Sequence, residues 1–296
     1  VVKLEQNYRS TSNILNAANA VIKRNADRLG KNLWTDLGEG EPIFLYSAFN
    51  ENDEARYIVE NLKSWINQGN NRQDAAVLYR SNAQSRVIES ALLQFDIPYR
   101  VYGGQRFFER LEIKNALAYM RLILNCHDDV AFERVVNIPP RGIGERTVDA
   151  VREHARDISI SMWSAAKAMI VEKNLNTRSA NALAAFLNLI NEMTNTLEAL
   201  PLSELTENSI EMSGLIEMHR REKGERGQSR VENLEELVGA CKNFTPESID
   251  TPVLAQFLDQ VSLEAGERQA NEDQDAVQLM TLHSAKGLEF PLVIMA

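Results

Sequence analysis

The segment TLHSAKGLEF (281–290) places a histidine, a lysine–glycine pair and a glutamate within one short polar stretch. Lys286 and Gly287 suit phosphate, Glu289 can accept a hydrogen bond from a ribose hydroxyl, and His283 can meet a second ligand. No GxxxxGK[ST] precedes them, so this is not a phosphate-cradling P-loop. Near the other end, LEQNYRST (4–11) sets Tyr8 beside Arg9 just before a helix signal. A guanidinium there can grip phosphate through two parallel hydrogen bonds, and the tyrosine ring offers a face on which a base can stack. The same residues also suit a polar loop closed by a Ser/Thr cap. YRSNAQSR (79–86) stands at the carboxyl tip of a predicted parallel strand, where ligands gather in open α/β sheets. Arg80, Ser81, Asn82, Gln84 and Arg86 match phosphate and sugar oxygens, and a solvated cap equally well. PPRGIGERT (139–147) carries a Gly142-Ile143-Gly144 turn flanked by Arg141 and Arg146. Such a turn opens a helix with free N–H groups that can bind phosphate without reading sequence. It also suits a tight helix–helix corner that needs glycine.

The elements around these residues alternate at first. A helix signal follows Ser10-Thr11, with Ile14, Leu15, Ala18, Val21 and Ile22 on one face. PIFLYSAF (42–49) reads as a strand, and ENDEARYIVENLKSWI as a helix with an acidic first turn. DAAVLYRSN (74–82) is a second strand, AQSRVIESALLQF a helix, and PYRVYGG (98–104) a strand closed by a glycine pair. This order predicts a parallel α/β sheet. From 105 to about 273 the period is helical, as in EIKNALAYMRLIL and SANALAAFLNLINEMTNTLEAL. AVQLMTLHS and FPLVIMA then return to apolar strands of parallel-sheet type. The expected architecture is an α/β domain split by a helical insertion.

Composition narrows the function classes. The chain has 296 residues, 44% of them hydrophobic and 25% charged, enough for two domains of ordinary size. No apolar run approaches the ~20 residues that cross a bilayer, and VVKLEQNYRS lacks a signal peptide's apolar centre. A cytoplasmic setting without membrane contact is expected. Cys126 and Cys241 have no partner spacing, so neither a disulfide framework nor a zinc site is predicted. The net charge of −10 is uneven: 245–275 is acidic, whereas 72–121 and HRREKGERGQSR (219–230) are basic. Basic patches on an acidic average are compatible with a DNA-binding enzyme. Val1 opens the sequence without a methionine and FPLVIMA closes it inside a strand signal, so part of a longer protein is expected.

Taken together, LEQNYRST, LYRSNAQSR, PYRVYGGQRFFER with EIKNALAYMRLI, and VQLMTLHSAKGLEFP resemble the later motifs of the UvrD/Rep/PcrA helicases of superfamily 1. Their order and spacing match across essentially the whole chain. The resemblance implies an incomplete RecA-like parallel-sheet domain (2A, residues 1–103 and 274–296) interrupted by a large, mainly helical insertion (2B, residues 104–273). It implies that ATP binds in a cleft of which this segment is one wall. Arg9 then takes the γ-phosphate as an arginine finger, Tyr8 the adenine and Glu289 the ribose. Lys286, Gly287 and His283 lie in the motif that couples nucleotide to DNA. Arg80, Asn82 and Arg86 hold single-stranded DNA, and Arg141, Gly142, Ile143 and Gly144 meet duplex phosphates. The Walker A lysine and the Mg2+ ligands fall outside the segment, so ATP hydrolysis with Mg2+ is expected of the parent and not of this piece. The expected role is 3′–5′ unwinding in bacterial excision and mismatch repair, on single strands and single/double-strand junctions, with DNA-repair proteins as partners. A replication helicase of the Rep or PcrA type, or a non-catalytic DNA- or protein-docking module, are the alternatives. Flexible joints are expected at Gly103-Gly104 and at ANEDQD (270–275).

Overall fold

The computed structural model describes residues 5–25, 32–266 and 274–296. Four strands, β1 (Ala75–Tyr79), β2 (Tyr99–Val101), β3 (Val277–Thr281) and β4 (Leu292–Met295), form one parallel sheet in the order β2-β3-β1-β4. In the sheet's centre Val77 pairs with Leu279 on one side and Ile294 on the other. The uninterrupted apolar run AAVLY is what such a strand needs, because both its faces are covered. Three helices belong to this unit: α1 (Ser12–Ile22), α2 (Glu51–Asn67) and α3 (Ser85–Gln94). Helices α2 and α3 cover one face, where Ile58, Leu62, Ile88 and Leu92 meet Val77 and Tyr79. The crossover from β3 to β4 covers the other, seating Ala285, Leu288 and Phe290 on Ala76, Leu78 and Met280.

The expected strand at 42–49 does not form. The segment is extended and precedes α2, with Phe44, Leu45 and Phe49 exposed at 79%, 97% and 95%. Its end is pinned locally instead. Asp53 accepts from the Tyr46 hydroxyl at 2.9 Å and the Phe49 N–H at 3.1 Å, and Tyr46 stacks on Tyr57. A strand needs a ladder partner for its N–H and C=O groups, and no described strand lies beside this one.

The helical unit runs from α4 (Leu111–Leu124) through α5 (Asp129–Val135), α6 (Glu145–Asp157), α7 (Met162–Val171), α8 (Thr177–Thr194), α9 (Leu202–Ser213), α10 (Leu215–Arg220) and α11 (Glu225–Asn243) to α12 (Val253–Gly266). Helix α4 is apolar nearly all round and lies at the centre, against α5, α8, α9, α11 and α12. Its core includes Phe132 set edge-on to Trp163 and Phe186. No described helix is long and apolar enough to cross a membrane. Of the two expected joints, residues 270–273 of ANEDQD lie outside the described residues. Asp275, at the end of that stretch, accepts from the Gln73 N–H at 2.8 Å and from Arg72 at 3.1 Å.

The turn between α10 and α11 is unusually close. A Cβ at Gly227 would stand 2.5 Å from the His219 carbonyl oxygen and 2.8 Å from that of Glu222. Gly227→Ala is therefore expected to destabilise the chain by about 1–3 kcal/mol through overpacking. A urea-unfolding midpoint equal to wild type would show that the turn yields freely.

Candidate nucleotide and nucleic-acid site

Two sets of predicted residues are brought together from distant parts of the chain. The first begins in the loop before α1. Asn7 Oδ1 accepts from the N–H groups of Arg9 at 2.9 Å and Ser10 at 2.7 Å, a local turn that fixes the backbone. Backbone bonds from Asn7 to Trp34 and from Trp34 to Glu5 tie the loop down further. Thus held, Arg9 reaches across to the β3–β4 crossover, where its Nε lies 2.8 Å from Glu289 Oε2. Tyr8 presents its ring to solvent at 79% exposure while its hydroxyl donates to Gln6 Oε1. Lys286 is exposed, and Gly287 follows it at φ +89°, a turn glycine suits. A cation, an open aromatic face and a carboxylate on one loop pair fit the phosphate, base and ribose of a nucleotide. No cluster of three or more His, Cys, Asp or Glu side chains that could hold a metal ion occurs among the described residues.

The second set lines a cleft of about 750 Å3 between the sheet's carboxyl edge and the helical unit. Arg80 and Asn82 enter it from the tip of β1, His283 and Ser284 from the end of β3, and Arg226 and Arg230 from α11. The tip of β1 is rigid because Gln84 Oε1 accepts from the N–H groups of both Arg80 and Ser81. The guanidinium of Arg80 and the ring of His283 are exposed and have no hydrogen-bond or ion-pair partner among the described residues. Asn82 donates weakly to Ser229 Oγ at 3.4 Å.

Arg86 is placed differently from its neighbours. Its Nε donates to Glu236 Oε1 at 2.6 Å, its side chain is only 13% exposed, and it does not line the cleft. Ser81 Oγ likewise donates to Glu232 Oε2 at 2.8 Å. Both carboxylates come from α11, so this part of the expected DNA surface is a seam between the two units.

The glycine turn between α5 and α6 is built around Asn137, whose Oδ1 accepts from the N–H groups of Arg141 and Ile143. Gly142 has φ +79°, and Ile143 is buried in the helical core. Gly142 and Gly144 face solvent at the start of α6, where the first helical N–H groups lack intrahelical partners. Arg141 does not join them. Its guanidinium donates inward to the carbonyls of Pro139 and Ser213 and lies over the rings of Tyr119 and Phe186. A guanidinium spent on carbonyls staples the turn and leaves the backbone of Gly142 and Gly144 as its exposed part.

Sequence reading missed the most buried polar cluster. Arg110 donates to Asn82 O at 2.7 Å, Gln105 O at 3.2 Å, Asn233 Oδ1 at 3.0 Å and Ser85 Oγ at 2.8 Å, with Glu89 at 3.9 Å. Glu89 accepts from Ser85 Oγ, the Phe107 N–H and the Tyr99 hydroxyl, and burial pushes its carboxyl above the ordinary range. Arg106 closes the end of α12 by donating to Glu264 O and Ala265 O. Three cations of the basic stretch 72–121, Arg86, Arg106 and Arg110, are thus consumed inside the protein. The available signal was RFFER itself, where two arginines flank two buried phenylalanines.

Comparison with known proteins places these features in a family. The family described as "UvrD-like helicase C-terminal domain" matches residues 2–296. The chain is 58% identical over 294 residues to DNA helicase II of Escherichia coli (strain K12), covering 99% of this chain and 41% of that protein. It is 57% identical to DNA helicase II of Salmonella typhimurium over the same length. Against ATP-dependent DNA helicase PcrA of Bacillus subtilis (strain 168) it is 41% identical over 302 residues, with 100% and 41% of the two chains covered. The chain spans about two-fifths of the length of these relatives.

Proposed function

The chain belongs to the UvrD-like helicase C-terminal domain family, and on that premise we propose that it is the 2A and 2B portion of an ATP-dependent 3′–5′ DNA helicase acting in excision and mismatch repair. Residues 1–103 and 274–296 are the RecA-like half and residues 104–273 the helical insertion. The observation that carries this reading is the meeting of Arg9 and Glu289 at 2.8 Å, from opposite ends of the chain. A lone basic loop would be ordinary. A guanidinium and a carboxylate converging beside an exposed Tyr8 is what one wall of an ATP cleft requires. In this reading Arg9 meets the γ-phosphate, Glu289 the ribose and Tyr8 the base, while Lys286 and Gly287 shape the crossover. His283 in the cleft and Glu289 beside Arg9 lie on the same β3–β4 crossover, which joins the DNA side of the sheet to the nucleotide side. The Mg2+ ligands and the catalytic base come from the part of the protein outside this chain, and the chain alone does not hydrolyse ATP. Arg80, Asn82 and His283 hold single-stranded DNA by its backbone, and the Gly142–Gly144 turn meets duplex phosphates ahead of the fork. Identity is higher to the DNA helicase II relatives than to PcrA, which favours a helicase of the former type.

The duplex contact is tested with this chain on a fluorescein-labelled duplex carrying a 3′ single-stranded tail. Gly144→Glu is the informative variant. Gly144 has φ −75° and nothing within 4 Å of an added Cβ, whereas any side chain at Gly142 would strain a φ of +79°. Gly144→Glu is expected to weaken binding and to flatten the slope of log K against log salt by about 1, with an unchanged thermal melt. Wild-type affinity and slope in the variant would remove the turn from the DNA interface.

A further inference from the structure

We propose that the helical unit supplies a second wall to the single-strand track: Arg226 binds backbone phosphates of a strand seated in the cleft opposite Arg80 and His283. The inference rests on the reading of that cleft as a DNA track and extends it to residues of the insertion.

The charges lining the cleft divide into spent and open groups. Arg110 is committed to Asn82, Ser85 and Asn233, and Arg230 donates to Glu222 Oε1 at 2.6 Å. Glu112 accepts from Asn233 at 2.6 Å, and Glu232 from Ser81 and Gln228. What remains open among the described residues is Arg80 and His283 on the sheet side and Arg226 and Glu225 on the helical side. The lining sets Arg80, Arg110, Arg226 and Arg230 against Glu112, Glu225 and Glu232, and its two free guanidinia stand on opposed walls, a balance that favours an anionic ligand. Each guanidinium presents a planar fork that matches phosphate oxygens. The lining also carries Tyr79, Val101, Tyr102 and Leu111 beside the polar groups, so a strand meets both phosphate partners and apolar surface for its bases.

Arg226 is also held where it stands. The next residue is Gly227, whose backbone lies against the carbonyls of His219 and Glu222, and Arg230 is tied to Glu222 one turn later. The start of α11 is therefore fixed against α10, so Arg226 sits on a rigid element instead of a loose loop. Because Arg80 belongs to the sheet and Arg226 to the insertion, one bound strand would join the two units.

The experiment measures binding of this chain to a short fluorescein-labelled oligo(dT) across a salt series. Arg226→Ala is expected to weaken binding and to flatten the salt slope by about 0.7, the value for one lost single-strand phosphate contact. Arg226→Lys, which keeps the charge, is expected to restore the slope. Arg80→Ala should lose a similar increment independently. If Arg80→Ala weakens binding and Arg226→Ala does not, the second wall is overturned and the track reading stands. If Arg226→Ala loses affinity at unchanged slope, the residue acts through folding and the inference is likewise overturned. If neither variant changes the affinity or slope of a chain that binds, or the wild type does not bind at all, both readings fall together.

Discussion

Replacing Arg9 with alanine in the full-length protein is expected to lower single-strand-stimulated ATP turnover by about 10³-fold or more, the range for loss of an arginine finger. Three observations place the burden on this side chain. Its backbone is fixed by Asn7 Oδ1, which accepts from two successive N–H groups. Its Nε already engages an oxygen anion, that of Glu289, so the guanidinium is oriented toward negative charge. Both partners are half exposed or more, and an ion pair so placed is held by at most about 1 kcal/mol. Arg9 can therefore exchange the carboxylate for a phosphate at little cost. The loss should fall on kcat with little change in KM for ATP, because the contact strengthens as charge develops on the transferred group. Arg9→Lys is expected to recover little, since a point charge cannot make two parallel hydrogen bonds. Steady-state kinetics at saturating single-stranded DNA measures this directly. Near-wild-type turnover in Arg9→Ala would take Arg9 out of the nucleotide cleft, whatever its geometry here.

Arg110→Met should unfold the seam between the units, destabilising the chain by about 3–5 kcal/mol, as removal of one partner from a buried charged network does. The variant strands the Gln105 carbonyl and the Asn233 amide oxygen, removes one of the donors to the Asn82 carbonyl and the donor to Ser85 Oγ, and takes the nearby cation from Glu89. The pH dependence has a definite sign. Burial raises the folded-state pKa of Glu89 above its unfolded value. The stability linked to that proton is present below the unfolded pKa and is lost as pH rises through the folded one. Without Arg110 the ionised carboxylate is less tolerated still. The deficit of the variant relative to wild type should then be smaller in mildly acidic buffer than at neutral pH. Urea unfolding at two pH values checks both points, and an unfolding midpoint within error of wild type would show the cluster to be dispensable.

The local signals were legible wherever one element carried its own explanation. The alternation of apolar strands with helices at 51–103, the helical period beyond 105 and the apolar return at 277–295 are each written in short-range spacing. So is the glycine turn at Gly142. The family resemblance lay in the same short segments, and the match over 2–296 agrees with it. The strand expected at 42–49 failed because pairing is a relation between segments, and its apolar pattern found no neighbouring strand.

What tertiary structure alone decided is which polar groups are free. Arg80, Arg86, Arg141 and Arg226 are interchangeable in a sequence, each an arginine beside polar or glycine residues. Folding sets Arg86 against Glu236 and turns Arg141 onto the carbonyls of its own loop, and it leaves Arg80 and Arg226 open across one cleft. The meeting of Arg9 with Glu289 is of the same kind. Sequence determines a side chain's chemistry and its local backbone. Whether that side chain is spent or available depends on which distant carboxylates and carbonyls the packing of apolar cores happens to bring within 3 Å.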